Sequence, residues 1–294
     1  MEILGIPLPA LLGQLLLGLV NGSFYAILSL GLAVIFGLLG IVNFAHGALY
    51  MVGAYVAWIA LERLGLNYWA ALALAPLVVG AFGAAIERTL LNKLYKLDPL
   101  YGLLLTFGLA LVVEGLFRDR FGVSGQQVAV PDLLQGATDL GFMVLPNYRG
   151  WVVFASLVLC GMTWYVIEKT SLGATLRAGT ENPQLVQAFG IDVPKLVTLT
   201  YAGGAALAGL AGVLAAPVIQ LTPLMGSNLI IVVFAVVVIG GMGSILGAIL
   251  TGLVLGLIEG LTKVFYPEAS NIVVFVIMAI VLMVRPAGLF GKEH

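Results

Sequence analysis

Nine apolar runs, most of them about as long as a bilayer's hydrocarbon core is thick, dominate this chain. A membrane-spanning helix needs about 20 mostly apolar residues, and the chain is 61% hydrophobic and only 9% charged. These values exclude a soluble domain and predict an all-α polytopic membrane protein, a bundle of 8–10 transmembrane helices forming one domain over residues 1–294. The runs lie at residues 10–38, 43–61, 68–87, 99–117, 150–167, 196–217, 227–242, 246–265 and 270–285.

Two of these runs predict an interruption of the helical pattern. The run 227–242 is short for a span and ends in a glycine-rich sequence, while 10–38 is long and leads almost directly into N-F-A-H-G at 43–47. We therefore expect a broken or re-entrant helix, which a membrane protein tolerates only where the irregular backbone is buried in protein or lines a wet cavity. The first run is too long for a signal peptide and has no positively charged flank, so we expect it to remain as a span.

The distribution of positive charge favours one orientation. Nine spans place the termini on opposite sides of the membrane. With the C-terminus in the cytoplasm, eight of the thirteen Lys and Arg residues fall in cytoplasmic connections, among them Lys96 and Lys292. This positive-inside bias predicts a cytoplasmic C-terminus and places residues 170–194 on the same side.

Residues 170–194, called the polar segment below, interrupt the apolar sequence and contain the signals of a short helix. Asn182 suits the N-cap, Pro183 the first helical position and Gly190 a left-handed exit. On the opposite side of the membrane, the connection at about 121–149 is the one long loop, in which we expect a small hairpin. That loop is a candidate docking surface for an extracytoplasmic partner, although an ordinary surface loop explains it equally well.

The short helix of the polar segment presents a small apolar face. Leu185, Val186 and Phe189 follow one another at helical spacing. A helix of about two turns is too short to be stable in water by itself. We therefore expect a soluble partner at the membrane surface to receive this face.

Five polar residues lie within or beside the apolar runs and are the candidates for a substrate pathway or gate. A charged side chain at the bilayer centre costs about 2.5–3.5 kcal/mol on insertion scales, so such groups should face the bundle or a cavity. They are Asn21, Asn43, His46, Glu114 and Glu259.

Each of these residues also has a purely structural explanation. Glu114 and Glu259 are each followed four residues later by a cation, Arg118 and Lys263, so both could form ion pairs on a helix surface. Asn43 and His46 are three residues apart at the expected break, where helix capping and packing compete with gating.

Other functional classes receive no support from the sequence. There is no P-loop motif for nucleotide binding and no serine in a nucleophile setting near His46, so we expect no enzymatic activity and no bound cofactor. The two histidines, His46 and His294, cannot form a metal site without carboxylate help, and the single Cys160 excludes a disulfide and a cysteine-rich metal site. The net charge of −1 gives no basic surface for nucleic acid.

Several blocks of this sequence together resemble the permeases of branched-chain amino acid ABC importers. The match extends in family order over nearly the whole chain, and its length and lack of long appended regions resemble the LivH-type subunit. The blocks are V-N-F-A-H-G at 42–47 with G-A-Y at 53–55, G-A-T-L-R-A at 173–178 with Asn182 and A-F-G-I at 188–191, A-L-A-G-L-A-G at 206–212, and I-G-G-M-G-S at 239–244 with G-A at 247–248 and L-G-L-I-E at 255–259.

This resemblance implies a type II ABC importer permease in the bacterial inner membrane. It implies a heterodimer with a LivM-type permease, two cytoplasmic ATPases that carry the ATP, and a periplasmic substrate-binding protein. The polar segment would then couple ATPase motion to alternating access through Asn182, Pro183, Leu185, Val186, Phe189 and Gly190, with Arg177 as an added positive contact.

Two questions stay open at this point, the substrate and the class of membrane protein. Relatives of this type carry leucine, isoleucine and valine, while others take urea, short amides or aromatic acids, and no residue here chooses among them. A stand-alone channel or ion-coupled secondary transporter is the alternative class, followed by a purely structural membrane subunit. A capped helix on the cytoplasmic side is the feature that neither alternative requires.

Overall fold

A computed structural model describes residues 2–3, 6–95 and 97–291 of the chain. Lys96, Lys292 and His294, which entered the charge and metal arguments above, lie outside the described residues. Within the described part, the regular structure consists of eleven α-helices, four short strands and three single-turn 3-10 helices, at Leu91–Lys93, Asp132–Leu134 and Pro267–Ala269. The helices are α1 Leu8–Leu39, α2 Ala45–Glu62, α3 Tyr68–Thr89, α4 Pro99–Phe121, α5 Asn147–Lys169, α6 Ser171–Glu181, α7 Pro183–Ala188, α8 Val193–Ala215, α9 Met225–Gly240, α10 Ile245–Phe265 and α11 Val273–Val284; the strands are β1 Glu2–Ile3, β2 Ile6–Pro7, β3 Ala137–Asp139 and β4 Val144–Pro146.

All nine apolar runs form helices, which confirms the predicted all-α polytopic fold. Six described helices are long and apolar enough to cross a membrane, namely α1, α3 extended to Lys93, α4, α5, α8 and α10. Of the others, α2 has 18 residues, α9 has 16 and α11 has 12. At about 1.5 Å per residue, α9 and α11 are shorter than the roughly 30 Å hydrocarbon core.

The expected interruption lies between α1 and α2 rather than within residues 10–38, which form one continuous helix. Gly40 adopts a left-handed conformation with φ of 67° and ends α1. The non-helical residues 40–44 then fold back along α1. His46, in the first turn of α2, reaches the carbonyl of Leu28, about three turns before the end of α1. Asn43 and the first residues of α2 are buried, as irregular backbone within a membrane protein must be.

A second interruption separates α9 from α10. Gly241 and Gly243 have φ of 99° and 89°, a conformation that a side chain would strain. Gly243 packs against Gly37 near the end of α1. The residues that follow α11 close over this turn, because Leu289 N–H donates to the Ile239 carbonyl at 2.8 Å.

These contacts define the two ends of the bundle. The end of α1, the turn between α9 and α10 and the residues after α11 lie together with the polar segment, at what we call the polar-segment end. The start of α1 lies at the opposite end, where Gly13 faces Met143 of the long loop; this is the loop end. Helix α1 therefore begins at the loop end and α11 finishes at the polar-segment end. The odd number of apolar runs predicts this arrangement.

The long loop contains the expected hairpin, formed by β3 and β4 in antiparallel register. A further backbone bridge joins Gln126 to Leu221, which lies between α8 and α9. The loop is thereby attached to the bundle at both sides.

Small residues bring the helix axes close together. Gly256 and Gly260 of α10 face Gly18 and Gly22 of α1, and the contacts run from backbone to backbone. Close approach of this kind replaces the hydrophobic drive that lipid does not provide between helices. The regularly spaced glycines of α10 therefore serve to pack this helix against α1 within the same chain.

Candidate functional site

The polar segment forms two short helices, α6 and α7, and α7 has the predicted cap. The Asn182 side chain accepts a hydrogen bond from Leu185 N–H at 3.0 Å, which satisfies one of the free donors of the first turn. Pro183 occupies the first helical position. Gly190, two residues after the end of α7, adopts the expected left-handed conformation with φ of 83°. Helix α6, which precedes it, was not predicted as a separate element.

The apolar face of α7 is only partly free. Phe189 is 78% exposed and Leu185 is 55% exposed, whereas Val186 is buried against the protein. Val186 therefore anchors α7 to the bundle, and the face available to a partner consists of Leu185 and Phe189. Two large apolar side chains exposed on a capped polar helix are typical of an interaction surface.

Arg177 is engaged with the end of α5. Its Nη1 donates to the Ile167 carbonyl at 2.8 Å and lies 3.6 Å from a carboxylate oxygen of Glu168. A cation at a helix C-terminus interacts favourably with the last carbonyls and with the helix dipole. These contacts hold α6 against α5 and so fix the direction in which the polar segment leaves the bundle.

The break before α2 buries several polar groups. Asn43 is 1% exposed and His46 is fully buried. The His46 Nε2–H donates to the Leu28 carbonyl at 3.1 Å, which assigns the tautomer and leaves Nδ1 without a hydrogen bond to any described residue. The backbone beside them is satisfied by Thr106 of α4, whose Oγ1 accepts from Phe44 N–H at 3.2 Å.

The Asn43 side chain forms no hydrogen bond of regular geometry to any described residue. The Asn43 amide interacts with the neighbouring Tyr201 hydroxyl of α8, but neither group forms a hydrogen bond of regular geometry with a described residue. Buried polar groups are normally paired, because an unpaired one costs about 1–3 kcal/mol. These two loosely paired groups leave hydrogen-bonding capacity for a ligand or water.

Glu114 faces the start of α9 rather than Arg118. Its carboxylate accepts a hydrogen bond from Ser227 in the first turn of that helix. No ion pair with Arg118 is present among the described side chains. The partial positive charge of a helix N-terminus stabilises a carboxylate there. Because Glu114 pairs with Ser227 and not with Arg118, the ion-pair explanation of Glu114 is wrong.

Helix α9 begins beside the first turn of α2, since Gly226 packs against Gly47. Phe44, immediately before α2, stacks on Phe234 of α9 with ring centroids 5.9 Å apart. The structure thus brings Asn43, His46 and Glu114 to one region, where two interrupted helices begin.

Glu259 belongs to a different group on α1 and α10. It accepts from the Tyr25 hydroxyl at 2.6 Å and pairs with Lys263 at 2.5 Å, the ion pair expected from the spacing. Asn21 lies half-buried one turn before Tyr25 on α1. A cavity of about 260 Å³ borders Glu259 and Tyr25.

Sequence analysis missed a third buried carboxylate, Glu87, near the end of α3. It is 2% exposed, and its two oxygens accept from the hydroxyls of Tyr95 at 2.8 Å and Thr198 at 2.6 Å. Burial and the adjacent carboxylate raise the pKa of Tyr95, so its hydroxyl stays protonated as the donor. The available signal was a carboxylate that closes the apolar run 68–87.

Glu87 borders a cavity of about 1150 Å³ at the polar-segment end. The cavity lies between the end of α1, the end of α3, α7 and the start of α8. At its rim Asp192 pairs with Lys195 at 2.8 Å, and that hydrogen bond lowers the pKa of the Asp192 carboxyl. Within the described residues, no group of three or more His, Cys, Asp and Glu is placed to hold a metal ion.

Comparison with known proteins gives a consistent result over nearly the full chain. Residues 14–282 match the family model for the permease component of branched-chain amino acid transport systems. The chain is 33% identical to the high-affinity branched-chain amino acid permease protein BraD of Pseudomonas aeruginosa, over 96% of both chains. It is 30% identical to LivH of Escherichia coli, again over 96% of both. The permease protein LivM of Salmonella typhimurium is 27% identical over 90% of this chain and 67% of that one. No solved structure matches.

Proposed function

This chain belongs to the permease component family of branched-chain amino acid transport systems, and on that premise we propose that it forms half of the membrane pathway of an ATP-driven importer. The family is one of transport permeases, not of enzymes. The names of its relatives favour leucine, isoleucine and valine over urea, short amides and aromatic acids. They also favour a transporter subunit over a stand-alone channel or secondary transporter.

The other half of the pathway is a LivM-type permease. Similarity to both LivH and LivM proteins supports this pairing, since two related chains can form a pseudo-symmetric dimer. The two chains alternate between cavities open to opposite sides of the membrane.

Two ATPases on the cytoplasmic side bind the ATP and receive α7. The observation that carries this proposal is the exposed Phe189 and Leu185 on a helix capped by Asn182. Closure of the ATPase pair displaces α7, and the buried Val186 and the Arg177 contacts transmit that displacement to α5 and α8. The polar-segment end, with the C-terminus, then faces the cytoplasm of a bacterial cell, and the loop end faces a periplasmic binding protein.

The gate lies where α2 and α9 begin. Asn43, His46 and Glu114 provide polar groups beside interrupted helices, an arrangement that transporters use to bind substrates near the membrane midplane. Asn21 and Glu259 lie on the neighbouring α1 and α10 and complete the polar groups proposed to line the path.

Isolation of the chain from its native membrane in mild detergent tests this function. Mass spectrometry should identify a second related permease and P-loop ATPases in the same particle, and proteoliposomes containing it should accumulate leucine when ATP and the binding protein are present. Recovery of the chain alone, with leucine flux that does not depend on ATP, would contradict the proposal.

A further inference from the structure

The cavity at the polar-segment end leads inward along a chain of neighbouring polar groups. Glu87, Tyr95 and Thr198 lie at its inner wall. Tyr201 lies one turn after Thr198 on α8, where it is fully buried and neighbours the Asn43 amide. The series therefore continues from an open cavity to the proposed gate.

Glu87 is a buried carboxylate whose partners are neutral. Both of its oxygens accept hydroxyl hydrogen bonds, and no cation among the described residues forms an ion pair with it. A carboxylate in such a site is costly to ionise unless a partner compensates its charge. The cavity is the side from which a positively charged group can reach Glu87.

The walls around Glu87 narrow the class of ligand. Phe36, Leu38 and Val197 provide apolar surface, while the rim carries Arg88 together with the ion pair of Asp192 and Lys195. An ammonium group, an apolar side chain and a carboxylate can all be accommodated, and an amino acid with an apolar side chain carries these three groups on one small molecule.

We propose that this cavity is an amino acid site on the polar-segment side of the pathway, in which Glu87 binds the α-ammonium group. The identity of the ligand rests on the proposed function. Because Pro183 and Gln187 of the polar segment also line the cavity, an occupied site lies directly against α7. Substrate that has crossed the membrane would therefore be held beside the helix that contacts the ATPases.

Site-directed labelling locates the ligand without any change to Glu87. Asn92 is exposed at the cavity and lies outside α7, and the native Cys160 is buried. In the complex freed of its binding protein, leucine should slow maleimide labelling of the Asn92→Cys variant. Leucinamide, which keeps the ammonium group, should do the same, and 4-methylpentanoate, which lacks it, should not.

Equilibrium binding of radiolabelled leucine to the same complex tests the role of Glu87. Glu87→Gln should weaken binding about tenfold or more, because a charge-assisted contact is lost. Glu62→Gln, which removes an exposed carboxylate at the end of α2 and away from the cavity, should bind leucine within about threefold of the unmodified complex.

The outcomes separate this site from the proposed function. Normal ATP-driven leucine uptake by the Asn92→Cys variant, without any protection of its introduced thiol by leucine, would overturn the site and leave the transport function intact. Protection of that thiol by bound ATPases alone, independent of leucine, would assign the cavity to a protein partner and would also overturn the site. Absence of ATPases from the complex and of ATP-driven uptake would overturn the transport function itself.

Discussion

Gly22 and Gly256 meet backbone to backbone where α1 crosses α10. A Cβ on Gly256 would overlap the backbone of Gly22, and a Cβ on Gly22 would lie 2.9 Å from the Leu253 carbonyl oxygen. Both contacts are closer than a real methyl group allows, and backbone atoms cannot move aside as side chains can. This crossing therefore requires glycine on both helices.

We expect Gly256→Ala to destabilise the protein by about 1–3 kcal/mol, the usual cost of overpacking a closely packed contact. The matched control is Gly108→Ala in α4, where an added Cβ meets nothing within 4 Å. Thermal unfolding of both variants in the same detergent measures the effect. Equal stability of the two variants would show that the α1–α10 contact tolerates separation.

Local signals were sufficient to predict the helices and the cap of α7. Apolar runs of membrane length determine where spans form, and Asn182, Pro183 and Gly190 act on the backbone next to them, so their effect is visible in sequence. The predicted apolar face was less accurate. Whether Val186 points to solvent or to the bundle depends on where α7 packs, which spacing alone does not determine.

Contacts between distant parts of the chain were not predictable in the same way. The nearby cation suggested Arg118 as the partner of Glu114, yet the partner is Ser227, 113 positions later in the sequence. Glu87 was missed because its donors, Tyr95 and Thr198, lie outside its own helix. Polar pairing in a bundle follows from the helix arrangement, and a single sequence carries only weak signals of that arrangement.

Phe189→Asp should abolish ATP-driven uptake while the protein remains in the membrane. The side chain is 78% exposed, so the substitution costs the free subunit little, but it places a charge in the contact proposed for the ATPases. Uptake and ATPase recovery are measured in the same proteoliposomes. Phe189→Leu, which keeps an apolar side chain, should retain most of both, and normal uptake by the Asp variant would contradict the coupling role.

Asn182→Ala should reduce coupling without abolishing it. Loss of an N-cap costs about 1 kcal/mol, which is a large fraction of the stability of a six-residue helix. Uptake should fall severalfold, whereas Asn182→Asp, which keeps a capping oxygen, should restore it. If the Ala and Asp variants transport equally well, the cap has no part in the transmission of motion.

Ser227→Ala should reveal whether the carboxylate of Glu114 depends on the hydroxyl that donates to it at the start of α9. Removal of that donor leaves a buried charge held by the α9 dipole alone, and we expect a loss of about 1–2 kcal/mol in stability, within the range of hydrogen bonds in membrane bundles. Ser23→Ala is the matched control, because the Ser23 hydroxyl bonds to the Leu19 carbonyl of its own helix. Adding Glu114→Gln should remove most of the penalty of Ser227→Ala, since a neutral amide requires less stabilisation. A double variant as unstable as the sum of both single variants would show that the two residues act independently.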